Sequence, residues 1–257
     1  MIRKLRDLFM KSVLRTKTSS LGSRTSSFLL QFINPIEIFS HWWTSPFNGQ
    51  ARRLYNVVAL SHELEPTCAI ETGTFMGSTT YLFLGMPTVT NVFSIESDLE
   101  NYKLACQRYK SLISDRFSLL HGDSKELLKE ILSKLDPKSA RLICYLDAHW
   151  EGDIPTIQEL NLLAVWGGQW FAVVDDFKIP VQDANGYGFD QYGDSAVDIS
   201  IIPNNHNLQV YVPTESAINE TGAKRGTAYI FSHNYKPSDL LTSRLKMQKL
   251  FTSEEES

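Results

Sequence analysis

Cysteine is scarce: Cys68, Cys106 and Cys144 are the only three, an odd number spaced by dozens of residues, with no CxxC pair. That excludes a disulfide framework and a thiolate zinc site, and fits buried thiols in a reducing compartment. A basic excess is also missing. Twenty-five Lys and Arg against twenty-nine Asp and Glu leave a net charge of -4, so no general attraction for a polyanion exists and nucleic acid is not an expected partner. The apolar run Phe28–Ile33 stops at Asn34-Pro35, far short of the ~20 residues that cross a bilayer. No internal repeat or low-complexity linker divides the chain.

What is present is an ordinary globular composition, 42% hydrophobic and 21% charged, in which disorder, a collagen repeat and a coiled coil have no place. The length of 257 residues suits one large α/β domain with extensions. The expected division is a basic extension and lid over 1–49, a core domain over 50–236, and a C-terminal helix with an acidic tail over 237–257. Up to Ser27, seven basic residues stand against Asp7 in a Ser/Thr-rich setting. Such a stretch reads as an arm of a cytoplasmic protein, an organelle transit peptide, or a helix touching a membrane surface through Ile2, Leu5, Leu8, Phe9 and Val13. Glu254-Glu255-Glu256 reads as a solvated terminus. A homo-oligomer is compatible with this composition.

From Cys68 onward, short apolar β-rich runs alternate with helical patterns, the rhythm of a parallel sheet with crossover helices. The strand runs are 68–73, 92–96, 117–121, 141–147 and 170–175. Helices are expected over 78–84, 99–113, 124–135 and 156–166, with Asp98 and Asp123 or Ser124 as N-caps. After Asp176 come a Gly/Asp/Tyr-rich loop (183–193), a short helix near 195–201, and β-runs 208–213 and 227–232 too close for a crossover, hence antiparallel. The expectation is a Rossmann-like, doubly wound α/β fold with a mostly parallel seven-stranded sheet and a final antiparallel strand pair.

Two clusters in this frame carry chemistry. Gly73 and Gly77 bracket the turn after the first strand in Glu71-Thr72-Gly73-Thr74-Phe75-Met76-Gly77-Ser78. The missing middle glycine of GxGxxG disfavours a pyrophosphate. Glu96 ends the second strand, where a carboxylate can accept both hydroxyls of a ribose, so the pair points to a nucleoside ligand. The alternative is a purely shape-giving turn with Glu96 capping or facing solvent. The second cluster is Asp147 after the fourth strand and Asp175-Asp176 after the fifth. Ligands of an open parallel sheet sit beyond its carboxyl edge, and three anions converging there suit a divalent cation such as Mg²⁺. The alternative leaves Asp147 in solvent and Asp175 or Asp176 capping a helix or pairing with Lys178. His149, two residues after Asp147, can accept a hydroxyl proton or bind metal as a neutral imidazole. Trp150, Tyr187, Phe189 and Tyr192 could wall an acceptor pocket, and His41-Trp42-Trp43 could form a lid; simple packing is the alternative for both groups.

The acid-x-Gly-x-x-x-Gly turn, with an acid closing the next strand, resembles class I S-adenosylmethionine-dependent methyltransferases over roughly residues 50 to 233. The resemblance implies that Glu71, Gly73, Gly77 and Ser78 frame the methionine part of S-adenosylmethionine. Glu96 would hold the ribose and Asp123 would lie beside the adenine. Asp147, Asp175 and Asp176 resemble the Mg²⁺ site of the cation-dependent O-methyltransferases, of catechol and of macrocin or sugar type. The implied activity is O-methylation of a small molecule or sugar. The lysine base of the catechol type is absent, since His149-Trp150-Glu151-Gly152 occupies its stretch, which leaves His149 as the expected base. The same acids also resemble the cephalosporin-hydroxylase group, where iron would need a second histidine such as His121 or His233; a non-catalytic nucleoside-binding protein is the remaining alternative.

Overall fold

The computed structural model describes residues 45–149, 154–180, 186–203 and 206–250. The basic N-terminal stretch, His41-Trp42-Trp43, Trp150 and the terminal glutamates lie outside these residues. Strands β1 (Cys68–Thr72), β2 (Asn91–Glu96), β3 (Phe117–His121), β4 (Arg141–Leu146) and β5 (Gln169–Asp175) alternate with helices α1 (Ala51–Leu64), α2 (Ser78–Gly85), α3 (Leu99–Tyr109), α4 (Ser124–Lys134) and α5 (Thr156–Trp166). Two short strands, β6 (Gln191–Tyr192) and β7 (Ser195–Ala196), form a ribbon, and β8 (Gln209–Pro213), β9 (Thr227–Phe231), helix α6 (Asp239–Arg244) and β10 (Met247–Leu250) follow within the described residues.

The main sheet runs β10-β8-β9-β5-β4-β1-β2-β3. Pairing is parallel from β3 to β5 and antiparallel between β5 and β9, β9 and β8, and β8 and β10. This is the expected doubly wound sheet with one strand more than seven. The eighth, β10, falls where a helix and tail were expected; after α6 the chain reverses at Lys246, whose φ is 53°, and lays Met247–Leu250 against β8. The short helix expected near 195–201 is instead the β7 strand followed by a 3-10 turn over Ile199–Ile201, which Asp198 caps by accepting from Ser200 N at 2.9 Å.

The strands read as unbroken apolar runs because both faces are covered. Along β1, β4 and β5 the residues divide with period two: Ile70, Cys144 and Val174 pack with Leu128 of α4 and Leu160 and Leu163 of α5. Ala69, Ile143 and Val173 pack on the other face with Val57 and Leu60 of α1, Phe83 of α2 and Tyr109 of α3. Asp98 and Asp123 cap α3 and α4, accepting from Asn101 N at 2.7 Å and Lys125 N at 2.8 Å, which fixes where each crossover leaves the sheet. Among the described residues no helix is long and apolar enough to cross a membrane.

The parallel run brings the carboxyl ends of β1, β2, β4 and β5 to one edge. There the chain after β1 passes so close to β4 that a Cβ on Gly73, which has φ +85°, would collide with the carbonyl oxygen of Asp147. Glycine is the residue that accepts both the left-handed backbone and the close approach. Gly73→Ala is therefore expected to lose about 1–3 kcal/mol from backbone strain alone, seen as a lower urea midpoint. An unchanged midpoint would show that the two strands separate there freely.

Candidate functional site

The turn after β1 is built around two buried glutamates. Glu71, on β1, is 1% exposed and looks inward: the Ser94 hydroxyl donates to it at 2.7 Å and the Thr80 hydroxyl donates as well. Burial pushes its carboxyl up to about 7, against the pull of those hydroxyls. It braces the turn from below. Glu96, at the end of β2, is 6% exposed rather than solvent-facing. One of its oxygens accepts from Phe75 N at 2.7 Å and the other from Asp98 N at 2.8 Å. Each oxygen therefore spends one lone pair on backbone and keeps one for a ligand hydroxyl. Burial raises its pKa above the usual range despite those backbone donors.

Gly77, φ +70°, is the residue before α2, and Ser78 is that helix's first residue. A Cβ on Gly77 would strike the Tyr109 ring, so the turn is held tight against α3. Asp123, half-exposed at the start of α4, lies one strand over, beyond β3. Glu71, Gly73, Gly77, Ser78, Glu96 and Asp123 thus line consecutive loops of the same sheet edge, with Glu71 underneath.

The three aspartates part company. Asp175 is fully buried. Its Oδ1 lies 2.6 Å from Arg53 Nη1, and its Oδ2 accepts from the Tyr145 hydroxyl at 2.6 Å and from Asn48 Nδ2 at 2.7 Å. Burial alone would raise this carboxyl, but Arg53 and the Tyr145 hydroxyl hold it below the ordinary value. The expected three-acid cation site is thereby altered: Asp175 is committed to an internal ion pair. In its place His149 joins Asp147 and Asp176, with one ligand atom from each lying within 4.8 Å of the others. His149 Nε2 stands 3.2 Å from Asp176 Oδ2 and 3.7 Å from Asp147 Oδ1. Burial lowers the imidazole pKa, but Asp176 and then Asp147 more than reverse this, so it is pushed up to about 9. Asp147 moves the opposite way for a carboxylate: burial, then the charges of Asp175 and Asp176, hold it well above its usual range.

Four contributors had no motif in the sequence. Arg53 occupies the buried stripe of α1 with Val57, Leu60 and Leu64, and a cation in such a stripe is the one local sign of its role. Tyr145 precedes Asp147 by two and so projects to the same side of β4. Asn48 arrives from the short turn Pro46–Gly49, where Phe47 and Asn48 have φ of 53° and 56°. Arg225 pairs with both Asp176 and Asp190. Among the described members of the expected aromatic wall, Tyr192 reaches the cluster, its ring edge-on to His149 at 5.7 Å. Phe189 instead lies under Lys178, at 5.2 Å, so Lys178 serves neither aspartate. The His121 ring donates from Nε2 to Ser97 O, 3.2 Å away, beside Tyr102; His233 follows β9, which runs against the parallel strands and ends at the opposite edge. Neither joins His149.

Arg53 and Asp175 should depend on each other. Removing one member of a buried pair strands the other's charge and costs about 3–5 kcal/mol. Arg53→Met is expected to lose that much in urea unfolding, and Arg53→Met combined with Asp175→Asn to regain a measurable part. Additive losses would show that the pair is not coupled.

No family model matches the chain, and no curated protein matches it. Solved structures do. A protein from Klebsiella pneumoniae assigned as an O-methyltransferase superposes with a TM-score of 0.50 at 15% identity, over 83% of this chain and 97% of that one. Spermidine synthase from Thermotoga maritima gives 0.47 at 11% identity, over 81% and 70%. The O-methyltransferase from Bacillus cereus in complex with SAH gives 0.46 at 14%, over 84% and 94%. The chain has the fold of the Klebsiella protein, a Rossmann-like α/β fold.

Proposed function

We propose that the chain is an S-adenosylmethionine-dependent O-methyltransferase acting on a hydroxyl of a small molecule or sugar, with a divalent cation at Asp147, His149 and Asp176. The observation that carries this reading is convergence: the glycine turn with Glu96, and the Asp147, His149 and Asp176 cluster, occupy one edge of one sheet, joined where Gly73 meets the Asp147 backbone.

The residues fit the cofactor. Glu96 keeps one lone pair per oxygen for the two ribose hydroxyls, Gly73, Gly77 and Ser78 offer close backbone approach for the methionine part, and Asp123 would lie beside the adenine. The cofactor supplies a methyl group already activated on a sulfonium. The protein's share is then to orient the acceptor hydroxyl, exclude water and remove a proton. The donor set also fits a cation, which would lower the pKa of a bound hydroxyl. Two carboxylates alone suit Mg²⁺; with the imidazole as third donor, Mn²⁺, Fe²⁺ or Zn²⁺ are served better. His149 faces acids and holds a proton at neutral pH, so it works as base or ligand once that proton is lost. A metal-dependent hydroxylase is the second reading, favoured by the imidazole beside two carboxylates and opposed by the distant placement of His233. Iron in the purified protein, with oxygen-dependent product, would support it.

Two measurements check the leading reading. Glu96→Ala removes charge-assisted hydrogen bonds, each worth about 1.5–3 kcal/mol, so calorimetry should show at least a tenfold loss of S-adenosylmethionine affinity; tight binding of NAD instead would contradict the cofactor. Mn²⁺ must displace the His149 proton, whose pKa of about 9 lies above the unperturbed ~6.5. Affinity should therefore rise with pH from 6 toward 9 with proton release, and His149→Ala should flatten the rise without changing cofactor affinity. A pH-independent affinity would remove His149 from the site.

A further inference from the structure

Behind the acid cluster the interior holds polar atoms without a hydrogen bond. They are Thr72 Oγ1, His149 Nδ1, Thr156 Oγ1 and both oxygens of Glu159. Thr72, Thr156 and Glu159 are each 0% exposed, and His149 is 6% exposed. A buried carboxylate left so costs several kcal/mol, and native interiors almost always satisfy such groups with protein or bound water.

Their placement is systematic. Thr72 ends β1 in register with Leu146 of β4, three residues before His149. Thr156 and Glu159 lie three apart on the first turn of α5 and share its buried face. Burial pushes the Glu159 carboxyl up to about 7, against the pull of the nearby Ser124 and Thr72 hydroxyls, which stand close without a well-formed hydrogen bond, and then of the His149 charge. On the other side of the ring, Nε2 is already directed at Asp176 and Asp147. Nδ1 is the ring's remaining nitrogen, buried and without a partner, and the ring is near enough to Glu159 for its charge to act on that carboxyl. A histidine that works through one nitrogen is usually held by a hydrogen bond from the other, to a carboxylate, carbonyl or water.

We propose that Glu159 is the positioning residue for His149, joined to it by one bound water: Nδ1–H donates to the water, and the water donates to the Glu159 carboxyl and to the Thr72 hydroxyl. The water has three partners, within the usual two to four. This bridge fixes the ring plane and keeps Nε2 facing Asp147 and Asp176. It rests on the reading above only in taking His149 as a working group of the crevice.

The test uses the full chain labelled with ¹⁵N-histidine, the His149 signals being assigned by their loss in His149→Gln. The native protein should show a slowly exchanging Nδ1–H resonance. Glu159→Gln, whose amide oxygen still accepts from the water, should keep it. Glu159→Leu should speed its exchange at least tenfold, with Glu159→Met as the substitute should leucine not fold. A carboxylate that only fills space would give a folded Glu159→Leu protein with Nδ1–H unchanged, which would overturn the proposal. Mn²⁺ titration separates the two readings: with His149 as ligand, Glu159→Leu should bind the ion about 10–100-fold more weakly and Glu159→Gln should not. Faster exchange with unaltered Mn²⁺ affinity supports the bridge and removes the ion from His149.

Discussion

The buried pair of Arg53 and Asp175 organises the edge of the sheet where the candidate site residues meet. Arg53 comes from α1, before the first strand, and Asp175 from the end of the fifth, 2.6 Å apart and both out of solvent. The same guanidinium donates to the carbonyls of Arg225 at 2.9 Å and Gly226 at 3.3 Å. Gln50 holds that loop again, accepting from Arg225 N at 2.6 Å. One ion pair thereby locks α1, the left-handed turn at Phe47 and Asn48, the loop before β9 and the end of β5. A pair so placed need not add net stability over an apolar substitute, since both charges were stripped of water. What it fixes is position: with Asp175 drawn back, Asp147 and Asp176 are left forward with His149.

That arrangement changes the electrostatic case for a cation. Three acids alone would repel, and a divalent ion would be needed to gather them. The structure sets Arg53 against Asp175, Arg225 against Asp176, and His149 between Asp147 and Asp176. With His149 protonated, each of these cations already faces a carboxylate without an ion. On the proposed reading a cation would compete with a proton and with the Arg225 guanidinium, so its occupancy would be sensitive to pH and to an acceptor that engages Arg225. The acceptor's own oxygens, supplied as ligands, would tilt that competition.

How much of this was legible follows the distance over which each residue acts. The parallel core was readable because its strands are short apolar runs and its turns carry Gly73, Gly77 and capping aspartates, all local signals. The acids at strand ends were readable because an open parallel sheet gathers its carboxyl ends. Arg53 was not, since its partner lies more than a hundred residues away and nothing near it in sequence calls for an anion. Glu159 looks like any acid in the first turn of a helix, where a negative charge is ordinary; its burial emerges only when α5 packs over Thr72. Strand β10 has no strong pattern of its own and forms because β8 offers an unpaired edge.

The claim on which the functional account stands is that the glycine turn and Glu96 hold S-adenosylmethionine. Native mass spectrometry of the full chain, purified without added cofactor and then titrated with S-adenosylmethionine and, separately, with NAD, tests it directly. The account predicts one adduct at the mass of S-adenosylmethionine or its demethylated product, saturating at one per chain, and none with NAD. A chain that stays free of the first and takes up the second would contradict it.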